Sequence, residues 1–157
     1  PDLELRLQVE EDTGEVVAVL LVADEGVLWT RAFAAARGGD LWAEARAEIA
    51  ADTVERGGTA VEQEGSFGTE LHCEVPVTGE NGEQLVQPSR VIGVSGPRWF
   101  LRATIAGRPA KDAEYGAAFE AAVRSIADLA HACLPRSTEL AGRLASVEHS
   151  VNKKLAH

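Results

Sequence analysis

The chain has 157 residues, of which 45% are hydrophobic and 25% are charged, and its formal net charge is −10. These values are typical of one globular domain and exclude a disordered chain. The acidic total argues against a general nucleic-acid-binding protein, because affinity for phosphates comes from clustered lysine and arginine. No apolar run approaches the ~18 residues of a membrane-spanning helix. We therefore expect neither nucleic acid nor a membrane as a partner.

The charges are unevenly distributed along the chain. Residues 1–89 carry 19 acidic and 5 basic residues, a net −14, whereas residues 90–157 carry 6 acidic and 10 basic residues, a net +4. The acidic part is typical of a solvated surface that keeps a protein soluble. Residues 90–157 are therefore the more informative part of the chain for a search for ligand-binding charges.

The cysteines and the start of the chain favour a cytoplasmic protein. Cys73 and Cys133 have no metal-ligand spacing, and each falls on an apolar stripe, so we expect reduced core thiols. A disulfide between them is the alternative. No positively charged leader is visible, but the chain begins at Pro1 and contains no methionine. We expect that the native N-terminus is missing, which leaves room for a targeting segment upstream.

The first third of the chain predicts three strands. Apolar and polar residues alternate without error over 3–9, which is the period of a strand with one wet face. Apolar runs follow at 15–22 and 27–33, after the polar turns Asp12-Thr13-Gly14 and Asp24-Glu25-Gly26. Turns this short join only antiparallel neighbours.

A helix and four more strands are predicted next. Asp40 offers a side-chain oxygen to the start of a helix that runs to about Arg56, and Gly57-Gly58 provides its left-handed end. Pro76 has no N–H to donate, so its end of a strand lies at a sheet edge or is unpaired. The four strands are expected at 59–64, 69–77, 85–94 and 98–106.

The last part of the chain is helical. Apolar residues at three- and four-residue spacing continue to Leu134, where Pro135 breaks the helix. Ser137 can cap a further helix with a leucine and valine stripe. That stripe either packs on the domain or projects and pairs with a second copy or another protein.

The order of elements, β-β-β-α-β-β-β-β-α, predicts the fold class. It is α+β: a largely antiparallel, twisted sheet of about seven strands with helices packed on it, plus an extra C-terminal helix. We assign residues 1–134 to a single domain and residues 135–157 to a C-terminal helical extension.

Strong signatures of chemistry are absent from the sequence. The four histidines lack metal-ligand spacing. Gly93-Val94-Ser95-Gly96 lacks the spacing of a serine-hydrolase elbow, and Gly65-Ser66-Phe67-Gly68 lacks the length and the lysine of a phosphate loop. His72 and Glu74 share a strand face, where a surface hydrogen bond is the simplest expectation. We therefore assign no catalytic residue, no metal ion and no cofactor.

One cluster stands out in the basic part of the chain. Segment 96–102 (GPRWFLR) follows Arg90, so three arginines and two large aromatic residues lie on one hairpin. An arginine beside an aromatic ring can hold an anion or a carboxylate. The alternative is that Trp99 belongs to the core and that the arginines are surface charges balancing the acidic half. The candidate ligand-binding residues are Arg90, Arg98, Trp99 and Arg102.

Several short segments carry a resemblance to a known family. They are Leu41-Trp42, FGTEL (67–71), EVPV (74–77), Gln87-Pro88 and GPRWFLR (96–102). Over roughly residues 1–120 the chain resembles the actinobacterial domain-of-unknown-function family thirty-seven-ten. The resemblance implies an actinobacterial, cytoplasmic protein, but no known activity and no catalytic residues to carry over.

The ends of the chain depart from that family. Its members usually have more chain before the first strand and continue into a valine-rich and then proline-rich tail, where this sequence has an alanine-rich stretch at about 126–157. The layout also looks like that of Mog1/PsbP, a twisted antiparallel sheet flanked by helices. That likeness implies a binding or accessory role more often than catalysis, and by itself assigns no function.

Three hypotheses of function follow. The leading one is a non-enzymatic binding or accessory domain that recognises a protein or an anionic small molecule through its sheet or last hairpin. The second is an enzyme whose site is assembled from the dispersed residues His72, Glu74, Ser66 and Arg98. The third is a structural homo-oligomer formed through the C-terminal helix.

Overall fold

Seven strands and two α-helices make up the part of the chain that the computed structural model describes, which is residues 4–9, 11–12, 16–34, 41–97 and 99–133. A 3-10 helix (Arg108–Ala110) precedes the second α-helix. The elements are β1 (Glu4–Val9), β2 (Val16–Ala23), β3 (Gly26–Ala34), α1 (Leu41–Glu55), β4 (Thr59–Gly65), β5 (Gly68–Thr78), β6 (Gln84–Ser95), β7 (Trp99–Gly107) and α2 (Ala113–Cys133).

The seven strands form one antiparallel sheet with the order β1-β2-β3-β7-β6-β5-β4. Two meanders, β1–β3 and β4–β7, each pair neighbours along the chain, and they meet where β3 pairs with β7. The prediction of an α+β fold with a largely antiparallel sheet of about seven strands is therefore confirmed. All of the proposed extension at 135–157, including its predicted helix, lies outside the described residues.

Each face of the sheet is covered by one helix. On the face under α1, Trp42 packs among Leu71, Val91 and Phe100. On the opposite face, Phe119 and Val123 of α2 pack on the central strands. We call these the α1 face and the α2 face. Because both are covered, the central strands β6 and β7 are buried on both sides, and polar residues there need partners inside the protein.

Helix α1 ends in a glycine cap, as the sequence predicts. The Gly57 N–H donates to the carbonyl of Val54, and the Gly58 N–H donates to that of Thr53. Gly57 has φ 83°, the left-handed conformation in which glycine has no Cβ penalty. These two bonds satisfy carbonyls that the helix itself leaves without partners.

Helix α2 begins at a side-chain cap. The backbone N–H of Glu114 donates to Oδ1 of Asp112 at 3.0 Å, so Asp112 is the N-cap residue. Phe119 and Val123 are buried, as their spacing predicts. Tyr115 belongs to the same sequence stripe but is 38% exposed, and the Arg108 guanidinium stacks over its ring at 3.7 Å.

Strands β5 and β6 extend beyond their other neighbours. The pairing of β4 with β5 stops at Glu74, and β7 pairs with β6 only from Ser89 onward. Residues 75–78 and 84–87 therefore form a two-stranded ribbon. Pro76 lies in this ribbon, which confirms that its end of the strand lacks a neighbour on one side.

Two observations bear on the environment of the chain. Neither helix of the described residues combines the length and the apolar composition that a membrane span requires. Cys73 is a buried free thiol whose Sγ lies 3.7 Å from Oγ1 of Thr53. The side chain of Cys133 is outside the described part of the protein.

Candidate functional site

The four predicted ligand-binding residues do not form one site. Arg90 lies opposite Ile105, and Trp99 opposite Ala34, on the α2 face, whereas Arg102 lies opposite Gly93 on the α1 face. The sheet separates them because side chains alternate between faces along each strand. Arg98 is outside the described residues, so its predicted role stays a prediction.

Arg90 is engaged inside the protein. Its Nε donates to Oε2 of Glu70 at 2.6 Å, its Nη2 donates to Oε1 of Glu70 at 2.9 Å, and Nη2 also contacts Oε1 of Glu120 on α2. The hydrogen bonds that Arg90 donates to Glu70 are the main cause that raises the pKa of the Arg90 guanidinium, against the opposing effect of burial. The carboxylates of Glu70 and Glu120 thus occupy the guanidinium N–H groups with which Arg90 would bind an external anion.

Trp99 is a core residue. Its side chain is 1% exposed and packs with Leu101 and Ala127, while its ring meets that of His131 edge-on at 4.8 Å. A surface ligand does not reach it. Of the two interpretations of Trp99 that the sequence allows, the geometry favours the core.

Arg102 lines an open groove between α1 and strands β3 and β7. The groove has a volume of about 350 Å³. Its floor is aromatic, its helix side carries two carboxylates, and its strand side carries the guanidinium. We call it the aromatic groove, and its lining residues are Phe33, Leu41, Glu44, Ala45, Glu48, Phe100 and Arg102.

The floor of the aromatic groove is held by a row of stacked rings. Phe100 stacks against Phe33 at 5.9 Å and against Trp42 at 6.0 Å between ring centroids. The Trp42 indole is fixed in turn by its Nε1, which donates to the backbone carbonyl of Thr69 at 2.7 Å. The Arg102 guanidinium lies 5.5 Å from the Phe33 ring centroid. The floor is therefore apolar and formed by packed rings.

The walls of the aromatic groove carry more negative than positive charge. Glu44 and Glu48 are one turn apart on α1 and both are exposed, while Arg102 is the cation among the lining residues. Like charges at this helical spacing weaken a helix slightly. The groove as built favours a ligand with a cationic group over a simple anion.

A second cavity lies on the α2 face, between β4, β5 and the 3-10 helix. Its volume is about 500 Å³. We call it the His72 pocket. Its lining residues are Thr59, Val61, Gln63, His72, Cys73, Glu74, Pro88, Ser89, Ala110 and Lys111. His72 and Glu74 of the enzyme hypothesis meet here, whereas Ser66 is not among the lining residues.

The polar groups of the His72 pocket are connected to the Arg90 network. The Nε2 atom of His72 lies 3.3 Å from Oε2 of Glu70, the same oxygen that accepts from Arg90. On the open side, Lys111 Nζ lies 2.5 Å from Oε1 of Glu74. The side chain of His72 is 30% exposed and that of Glu70 only 2%, so the imidazole stands between a buried charge cluster and the cavity.

The sequence patterns did not predict that Glu70 and Glu120 pair with Arg90 under α2. Glu70 alternates with Leu71, so its strand pattern places it on a wet face, yet it is among the most buried residues. The burial of Glu70 could have been expected from the two predicted helices, because two helices can cover both faces of a single sheet. Glu120, a polar residue on the amphipathic α2, gave no sign that it reaches Arg90.

Metal binding has no structural support within the residues described: no group of three or more histidine, cysteine, aspartate or glutamate side chains there is arranged to hold an ion.

Comparison with known proteins gives one result. No curated protein matches the chain. A family model with the description "Protein of unknown function (DUF3710)" matches residues 1–130, which is most of the 157-residue chain and includes both cavities. The family resemblance expected from the short segments is thereby confirmed, and the chain belongs to this family of proteins of unknown function.

Proposed function

We propose that this protein is a non-enzymatic binding domain whose aromatic groove receives a segment of a partner protein. One observation carries the proposal: a floor of the stacked rings of Phe33 and Phe100 opens to the surface between charged walls. Concave sites with an apolar floor and a few placed polar groups are the usual form of binding sites. A cytoplasmic location belongs to the same proposal, and the free thiol of Cys73 supports it.

The lining residues suggest the chemistry of the bound segment. Phe33 and Phe100 fit an apolar or aromatic side chain, for which about 350 Å³ is sufficient room. Glu44 and Glu48 stand one helical turn apart beside that floor and would meet a lysine or arginine next to the apolar residue. The preferred segment is therefore apolar and basic.

An anionic small molecule fits this protein less well. Arg90 is already paired with Glu70 and Glu120. In the aromatic groove, Glu44 and Glu48 would repel an anion that approaches Arg102. Of the two ligand classes expected from the sequence, the charges thus favour a protein segment.

The test measures binding of labelled peptides to the whole chain by fluorescence anisotropy. A peptide that places phenylalanine three residues before lysine should bind, and its counterpart with glutamate in place of lysine should bind about tenfold more weakly. The double variant Glu44→Gln/Glu48→Gln should remove this preference. The variant Ala45→Arg should weaken both peptides by filling the groove.

Glu55→Gln is the matched control, because Glu55 is an exposed acid of the same helix outside the groove. It should leave both affinities unchanged. Equal binding of the basic and acidic peptides, or equal effects of Glu55→Gln and the groove variants, would contradict the proposal.

A further inference from the structure

The His72 pocket lies on the opposite face of the sheet from the aromatic groove and plays no part in the proposed function. Its floor is formed by neighbouring strands, with His72 and Glu74 on β5 and Pro88 on β6. Ala110 and Lys111 bound it on the side of the 3-10 helix. It is the largest of the cavities described above.

Glu70 determines which nitrogen of His72 is presented to a ligand. An ionised carboxylate only accepts hydrogen bonds, so the contact at 3.3 Å requires the proton on Nε2 of His72. In the neutral imidazole, Nδ1 then carries a lone pair and is an acceptor. Within the described part of the chain, Nδ1 has no hydrogen-bond partner, although His72 lines the pocket.

The acceptor on His72 stands in a negative environment. The cluster behind it holds two carboxylates, Glu70 and Glu120, and one guanidinium, Arg90, so it carries one excess negative charge. Glu74 and Lys111 at the mouth cancel each other. The lining of the pocket is therefore neutral, and the excess negative charge comes from the cluster behind His72, which together with a nitrogen acceptor favours a cationic hydrogen-bond donor.

The walls of the pocket suit the rest of such a ligand. Val61, Pro88 and Ala110 provide apolar surface beside the polar groups. Aliphatic chains that end in an ammonium group place their methylenes along apolar surface and their charge at a polar end. Lys111 already pairs its ammonium with Glu74 at 2.5 Å, so the carboxylate of Glu74 is placed to accept from an amine at the mouth of the pocket.

We propose that the His72 pocket is a binding site for an aliphatic primary amine, whose ammonium donates to Nδ1 of His72 and to the carboxylate of Glu74. The same chemistry belongs to a free diamine and to a lysine side chain. This site is independent of the aromatic groove.

The test titrates the protein with 1,5-diaminopentane and, separately, with the amide of Nα-acetyl-lysine, and follows the ring nitrogens of His72 by long-range proton–nitrogen NMR. Binding should shift Nδ1 and leave the proton on Nε2. Glutarate, a dianion of the same length, should cause no shift. A stronger response to the diamine than to the blocked lysine identifies a free amine as the ligand, and the reverse identifies a lysine side chain.

Affinity measurements by calorimetry with substituted proteins complete the test. His72→Ala should weaken diamine binding about tenfold, the loss expected for a hydrogen bond to a charged group. His72→Asn, which keeps an acceptor near the position of Nδ1, should recover part of that loss. Glu74→Gln should weaken binding further, because it also leaves Lys111 without its carboxylate.

Two results would overturn the proposal. One is diamine affinity that is unchanged in His72→Ala, which would indicate general attraction to an acidic protein. The other is equal binding of glutarate. The variant Glu55→Gln removes an exposed acid that lines neither cavity and should leave diamine affinity unchanged. Peptide binding is measured separately, so a failure at the His72 pocket and a failure at the aromatic groove are distinguishable.

Discussion

Gly93 of β6 lies directly beneath the indole of Trp42, so closely that a Cβ at this position would overlap the Cδ2 and Cγ atoms of the ring. The ring of Trp42 is also held by the hydrogen bond that its Nε1 donates to the carbonyl of Thr69. The first turn of α1 can therefore pack this closely on the sheet only because residue 93 has no side chain.

The substitution Gly93→Ala should destabilise the protein by about 1–3 kcal/mol, the usual cost of overpacking a core site. Chemical denaturation measures the loss. In a Trp42→Ala background the same substitution should cost much less, because the methyl group then has room. Equal losses in the two backgrounds would show that Trp42 is not the obstacle.

The cap of α1 gives a second prediction. Gly57→Ala forces a Cβ into the left-handed conformation at φ 83° and should cost about 1–2 kcal/mol. Gly57→Asn should cost less, since asparagine tolerates this conformation better than alanine. Thermal unfolding of the two variants compares them directly. Identical losses would mean that the backbone conformation of residue 57 is not the cause.

The N-cap of α2 gives a third prediction. Asp112→Ala removes the acceptor for the Glu114 N–H and should cost about 1 kcal/mol. Asp112→Asn keeps a side-chain oxygen and should stay close to the unsubstituted protein. The free energy of unfolding distinguishes capping from charge: a loss in Asp112→Asn as large as that in Asp112→Ala would assign the effect to the charge.

Removal of Arg90 should be the most damaging of these changes. Arg90→Met leaves the carboxylate of Glu70 buried without its guanidinium partner, which typically costs about 3–5 kcal/mol. Restoring a matched apolar pair in Arg90→Met/Glu70→Leu should recover part of the loss. Arg6→Met is the control, because its exposed pair with Glu4 contributes little. A double variant no more stable than Arg90→Met would contradict this account.

The pH dependence of the Arg90 contribution follows from its pKa. The folded protein raises that pKa, so the stabilisation is complete below the ordinary guanidinium pKa and is lost only as the pH rises through the higher folded value. Arg90 itself therefore adds no pH dependence to stability between acid and neutral solution.

Within the part of the chain that the structure describes, the sequence was sufficient for the strands and the two α-helices but not for the cavities. Alternation over 3–9 and the glycines after α1 act locally, so they predicted their elements correctly. One of the two carboxylates that pair with Arg90 belongs to Glu120, which is 30 residues away in sequence. Likewise, Arg102 lines the same groove as Glu44 and Glu48 only because β7 pairs with β3 under α1. Such long-range relations are set by packing, which local patterns do not report.

The seam between β3 and β7 has a consequence for how the chain folds. Each meander pairs strands that are close in sequence, but the seam joins residues as far apart as Gly26 and Gly107. Closing that loop costs more entropy than forming a hairpin. We expect the two meanders to form early and the seam to close last, so that amides of β3 and β7 facing each other gain protection from hydrogen exchange after those of the β5–β6 hairpin. The two meanders would then be joined last, along the β3–β7 pair and in the core cluster of the α2 face that they share.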